Sequence, residues 1–174
     1  MPTSSKRVLA ALLVTGILLL VMLFTIKDVY KRRQYHAFTS DERTLAIIKP
    51  DAVMAGNADN IITLIKENGF IIRAQEEKIL DKETAEKFYA IHNKKPFFNE
   101  LINYITSGPL IILVLGKANA VNAWRNLMGA TNPSNAQEGT IRKLYGTDIQ
   151  RNAVHGSDSV QNAQQEIKLF FPLL

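Results

Sequence analysis

Short apolar runs alternate with helix-spaced apolar positions through residues 42–174. Leu45-Ala46-Ile47-Ile48 is a buried-strand pattern stopped at Lys49-Pro50-Asp51. Asn57 to Asn68 carries Ile61, Ile62, Leu64 and Ile65 at helical spacing, with Gly69 as a stop. Phe70-Ile71-Ile72 opens a second strand that runs toward Ile79-Leu80. Asp81 is placed to cap a helix holding Ala85, Phe88 and Tyr89. Pro96 opens the next helix, with Phe97, Phe98, Leu101, Ile102 and Ile105, and Ser107-Gly108-Pro109 closes it. Leu110 to Leu115 is wholly apolar and reads as a central strand. Asn119 is placed to cap a helix bearing Val121, Trp124, Leu127 and Met128. Gly129 to Gly146 reads as a long loop, a length usually associated with function. Ala153-Val154 forms a last short strand. Ser157, Asp158 and Ser159 can cap a final helix carrying Val160, Ala163, Ile167, Phe170 and Phe171. The order β-α-β-α-α-β-α-loop-β-α suits an α+β sandwich of helices on one sheet, of which the ferredoxin-like arrangement is an example.

The N-terminal pattern differs. Val8 to Ile26 contains no charge over 19 residues. As a helix it spans roughly 28 Å, close to the hydrocarbon thickness of a bilayer. No small-residue cleavage pattern follows, which favours an anchor over a removed signal peptide. The expected organisation is a basic N-terminus (1–7), a transmembrane helix (8–26), a juxtamembrane linker (27–41) and a folded domain (42–174). The cations flanking the span place the domain on the cytoplasmic side. A domain freed into the cytoplasm or an organelle by loss of the segment is the alternative.

Charge and composition narrow the function. The net charge of +5 resides in residues 1–40, which hold six of the 21 basic residues and one of the 16 acidic ones. The remaining 134 residues are formally neutral, so no nucleic-acid-binding face is expected. A hydrophobic fraction of 47% excludes a disordered chain. The absence of cysteine excludes disulfides and thiolate metal sites. No Gly-x-x-x-x-Gly-Lys-Ser/Thr loop is present, so P-loop phosphoryl transfer is unsupported.

The richest stretch is Arg151-Asn152-Ala153-Val154-His155-Gly156-Ser157-Asp158-Ser159. His155 lies between a strand and a helix start, where free N–H groups favour a phosphate. Gly156 would permit unusual backbone angles and close approach of a bulky ligand. A capping turn with an incidental histidine fits these nine residues equally well. His36, in the linker, and His92, in a charged segment, read as solvated.

Asn152 to Ser159 resembles the active-site signature of nucleoside diphosphate kinases, and the resemblance extends over about residues 42–172. It implies a four-stranded antiparallel sheet and a phosphorylated histidine at His155. Arg43 to Asp51 resembles the family's first strand, with Lys49 binding phosphate. Arg125, Thr131 and Arg142 match phosphate-binding positions. Lys94 to Phe98 matches the base-binding segment, with Phe97 stacking and Leu101 beside it. Asn152 would bond the sugar hydroxyl, and Tyr89 would lie close to the histidine. Glu166, helped by Ser157, would hold one ring nitrogen. The implied reaction is ping-pong transfer of a γ-phosphoryl group between nucleoside tri- and diphosphates, with Mg²⁺ held by the substrate phosphates rather than by protein ligands. A homo-oligomer, a tetramer or hexamer built from dimers, is also implied. The alternatives are a nucleotide-binding scaffold at the membrane and a relay of phosphoryl groups to a protein partner.

Overall fold

The structure, a computed structural model, describes residues 21–22, 25–27 and 42–174. The chain divides into two units, residues 1–40 and 41–174. In the first, residues 21–22 and 25–27 are helical. The expected membrane span therefore lies almost wholly outside the described residues, as does His36. Among the described residues no helix is long and apolar enough to cross a membrane.

The second unit holds four strands: β1 (Glu42–Ile48), β2 (Ile71–Lys78), β3 (Leu110–Lys117) and β4 (Val154–Gly156). They form one sheet in the order β2-β3-β1-β4, and every pairing is antiparallel. Seven helices accompany them: α1 (Pro50–Met54), α2 (Ala58–Glu67), α3 (Lys82–Phe88), α4 (Phe98–Ile105), α5 (Ala120–Met128), α6 (Ile141–Tyr145) and α7 (Val160–Phe170). This strand order is that of the ferredoxin-like sandwich.

The strand period of two explains the layering. Ala46, Ile48, Ile111, Leu113 and Leu115 turn to one side and pack with Ile61, Ile65, Trp124 and Met128 of α2 and α5. Leu45, Ile47, Leu110, Ile112 and Val114 turn to the other and pack with α3, α4 and α7. Both faces of the two central strands are covered, so their sequences are continuously apolar. β2 is half-exposed at one edge, and its register shifts between Ile72 and Ala74. That irregularity sends Ile72 to the α2–α5 core and Ala74 to the opposite one.

Several helix ends follow the expected chemistry. Asp81 accepts from Thr84 N at 2.8 Å, and Ser159 accepts from Asn162 N at 3.1 Å. Others do not. The second strand starts at Ile71 and stops before Ile79-Leu80. Asn119 adopts φ 56° and caps nothing with its side chain. The Glu42 carboxylate caps α5 instead, accepting from Val121 N at 2.8 Å. A partner 79 residues away leaves no local trace in sequence. The stretch from Gly129 to Gly146 is not a plain loop. It contains a 3₁₀ turn at Pro133–Asn135 and helix α6, anchored by buried Ile141.

Candidate active site

Register places His155. It pairs with Ile47 across β1, so its ring emerges on the α3–α7 side while Val154 and Gly156 face α5. The ring packs edge-on against Phe88 at 4.9 Å and Tyr89 at 6.1 Å between centroids. Trp124 Nε1 donates to the His155 carbonyl at 3.1 Å, which holds the backbone.

Gly156 has a reason other than the one the sequence suggested. Its φ is not positive, and its near neighbour is protein. A Cβ there would fall inside the Trp124 indole and 2.8 Å from Met128 Cε. Trp124 is fully buried and cannot yield. Gly156→Ala should therefore cost about 1–3 kcal/mol of stability, read as a lower midpoint in denaturant unfolding. An unchanged midpoint would sink this packing account.

The two ring nitrogens of His155 have different surroundings. Nε2 is buried and lies 3.5 Å from Glu166 Oε1, longer than an ordinary hydrogen bond. Glu166 is fixed from its other oxygen, where the Ser157 hydroxyl donates to Oε2 at 2.6 Å. Ser157 Oγ in turn accepts from Leu45 N at 3.2 Å. A carboxylate beside Nε2 selects the tautomer protonated there and leaves the Nδ1 lone pair free. Tyr89 Oη is buried without a partner. Burial, then the Glu166 charge, pushes its pKa up, so it stays protonated.

His155 opens onto a cleft of about 930 Å³. Lys49, Arg125, Thr131, Arg142, Phe97, Leu101, Tyr89 and Asn152 all line the same cleft. Glu166 and Ser157 stand behind the imidazole and outside the lining. The N-terminus of α7 does not line the cleft either, so cations rather than helix amides supply its positive charge. Lys49 is buried, donating to Asn152 Oδ1 at 2.7 Å and to Gln150 O at 3.3 Å. Burial first, then the nearby Arg142 charge, lowers its pKa to about 8. Arg142 donates to Gly129 O at 2.9 Å and Val154 O at 3.2 Å, and its Nε is buried without a partner. Burial and the neighbouring Arg125 lower its pKa to about 10. Cations held together against their own repulsion suit an anionic ligand.

Asn152 does more than the sequence suggested. Its amide spends both N–H groups on Thr131 O and Ile149 O, at 2.9 and 2.8 Å, and its oxygen receives Lys49. It ties three cleft segments together and keeps one acceptor lone pair. Asp51 was unassigned from sequence. Its carboxylate accepts from Tyr104 Oη at 2.6 Å and from Ala153 N at 3.0 Å. Ala153, at φ 67°, is in a region non-glycine residues avoid. The Asp51 bond holds that turn two residues before His155.

His92 also corrects the sequence reading. It lines the cleft, stacks on Tyr89 at 6.3 Å and tilts against Phe97 at 5.9 Å. Exposed Ile149 lines the cleft as well. Neither carried a motif, and only tertiary contact reveals them. Among the described residues no group of three His, Cys, Asp or Glu side chains could hold a metal ion.

The Lys49 environment sets a pH dependence. In the free protein its ammonium is lost as pH rises through about 8, and phosphate attraction goes with it. kcat/KM for a phosphate-bearing substrate should fall above that pH. Bound phosphate favours the ammonium, so the alkaline limb of kcat should lie at higher pH. Coincident limbs in the two profiles would refute this role. The stability sign is separate: the unfolded lysine binds more protons between about pH 8 and 10.5, so the stability of the ligand-free fold rises with pH across that window as the cost of burying the ammonium is relieved.

A ferredoxin-like sheet presenting an imidazole to a cation-lined, nucleotide-sized cleft defines a phosphotransferase. The comparisons agree. The family model described as nucleoside diphosphate kinase matches residues 42–173. The chain is 51% identical over 130 residues to the nucleoside diphosphate kinase of Lawsonia intracellularis, covering 75% of this chain and 94% of that one. It is 52% identical over 130 residues to that of Nitratiruptor sp., covering 75% and 95%. Among solved structures, the Halobacterium salinarum enzyme in complex with CDP aligns with a TM-score of 0.73 at 41% identity, covering 75% and 88%. The Aquifex aeolicus enzyme aligns at 0.74 and 38%, covering 75% and 95%. The chain belongs to the nucleoside diphosphate kinase family, phosphotransferases that use a divalent metal.

Proposed function

We propose that the chain moves the γ-phosphoryl group of a nucleoside triphosphate, typically ATP, to a nucleoside diphosphate through a phosphohistidine on His155, and so maintains nucleoside triphosphate pools. The observation that carries this is the asymmetry of the imidazole. Nε2 is turned to Glu166, which leaves Nδ1 for a cleft lined by Lys49, Arg125 and Arg142.

The nucleotide would bring Mg²⁺ with it, and the ion would offset the charge of the phosphates. Phe97 is half-exposed at the cleft and stacks on the base, with Leu101 alongside. Stacking tolerates any base. Asn152 accepts from a sugar hydroxyl with its remaining lone pair, beside Lys49. Arg125, Thr131 and Arg142 hold the phosphates. Nδ1 forms a bond to the γ-phosphorus as the bond to the bridging oxygen breaks, and the diphosphate carries that electron pair away. The Nε2–H draws closer to the Glu166 carboxylate as the ring gains positive charge. The diphosphate departs, a second one binds in the same place, and the steps run backward. Tyr89 packs beside the ring throughout.

Initial rates with ATP and dTDP varied together test this reading. Parallel double-reciprocal lines are expected, together with exchange of label between ADP and ATP when no other acceptor is present. Intersecting lines without that exchange would contradict it.

The proposal extends to a tether through residues 8–26, with the domain facing the cytoplasm, and to a dimer-based tetramer or hexamer. The uncharged 19-residue stretch supports the tether. The full chain should sediment with membranes and resist alkaline carbonate, and recovery in the supernatant would rule the tether out. Light scattering of detergent-solubilised chain should give a multiple of the dimer mass, and a monomer would overturn the assembly.

A further inference from the structure

The cleft has a polar side chain that the phosphotransfer chemistry does not use. Gln150 lines it beside α4. Its Nε2 donates to the Glu100 carbonyl at 3.2 Å. Glu100 lies beside Leu101 and three residues after Phe97, so this amide stands next to the segment that carries Phe97. The orientation of the amide is settled by chemistry: a carbonyl can only accept, so Nε2 must face Glu100. Oε1 is left as an acceptor with no hydrogen bond among the described residues.

Other polar groups nearby are committed or loose. Asp148 accepts from Gln150 N at 2.8 Å and Arg151 N at 2.7 Å, and it pairs with the Arg151 guanidinium at 3.3 Å. The Glu100 side chain is exposed and must be ordered before it can bond anything. Gln150 is already anchored at both ends, by its Nε2 and by the Lys49 bond to its own carbonyl. An acceptor held in place loses less freedom on binding than a free one.

We infer that Gln150 is a specificity-determining residue, whose Oε1 accepts from the exocyclic amino group of a nucleobase lying on Phe97. The inference rests on the proposed nucleotide orientation, with phosphates at His155 and base at Phe97. In that orientation the base edge remote from the sugar faces Gln150. A 6-amino purine or a 4-amino pyrimidine offers a donor there. A base with a carbonyl at that position opposes oxygen to oxygen, and one with hydrogen offers no donor.

The test compares donors that differ at that substituent: ATP with purine riboside triphosphate, and CTP with UTP. kcat/KM for each is measured with the full chain and with Gln150→Ala. The full chain should favour the amino-bearing member of each pair by about three- to tenfold, the usual worth of one hydrogen bond. In Gln150→Ala both ratios should fall toward one. A ratio within one preparation does not depend on how much of the variant is folded. Ratios that stay the same in Gln150→Ala, through an equal loss for all four donors or no loss, would overturn the inference and leave Gln150 as a strut between the loop and α4. Failure of the parent reading looks different: the unaltered chain would transfer from none of the four.

Discussion

His155→Ala is expected to lower transfer from ATP to dTDP by about 10⁴-fold or more, because the nucleophile itself is removed. Alanine removes the Nδ1 that the Glu166 contact leaves for the cleft, and Lys49, Arg125 and Arg142 remain to bind nucleotide. Affinity for a nucleoside diphosphate should therefore survive while turnover disappears, and the pairing of β4 with β1 should keep the fold. Steady-state assay beside calorimetric binding checks both halves. A variant that retains a tenth of the activity would remove His155 from the chemistry.

Arg142→Ala carries the second largest effect. Its guanidinium reaches the C-terminal end of α5 through Gly129 O and β4 through Val154 O. It also brings charge into a partly dry site, where a preorganised donor is worth more than in water. Loss of both functions should reduce kcat/KM by about 10²–10³-fold. Arg142→Lys keeps charge but lacks the fork that spans two carbonyls, so it should recover only a small part. Equal activity of the lysine variant and the unaltered chain would show that charge alone matters. Circular dichroism separates either result from unfolding.

The framework of this domain is legible because its central strands are buried on both sides. Leu45–Ile48 and Leu110–Leu115 are apolar without alternation, and the α2, α4 and α5 stripes have the helical period. Local chemistry also exposed the caps at Asp81 and Ser159. What stayed hidden depends on distant partners. Asn119 looked like a cap, but the Glu42 carboxylate occupies that position. Gly156 looked like an accommodation for ligand, but it makes room for Trp124. Helix α6 rests on Ile141 alone as a fully buried residue, too little for a periodic signal.

The site divides along the same line. The residues singled out by the signature and its companion motifs converge on one cleft or stand directly behind the imidazole. Asp51, Tyr104, His92 and Gln150 carried no such mark. Asp51 acts through the backbone of Ala153 and is itself held by Tyr104, while His92 and Gln150 matter because the chain returns to the cleft from separate segments. Asn152 shows both aspects. Its place in the signature marked it, but only the fold reveals that its amide joins Lys49, Thr131 and Ile149.

The central claim is that Glu166 sequesters one imidazole nitrogen so that the other carries phosphorus. Nuclear magnetic resonance of the phosphorylated chain, labelled with ¹⁵N in histidine, tests it most directly. After incubation with ATP and no acceptor, phosphorus–nitrogen coupling should appear at Nδ1 of His155 in nearly stoichiometric amount. Coupling at Nε2, or phosphate on any other residue, would contradict the account.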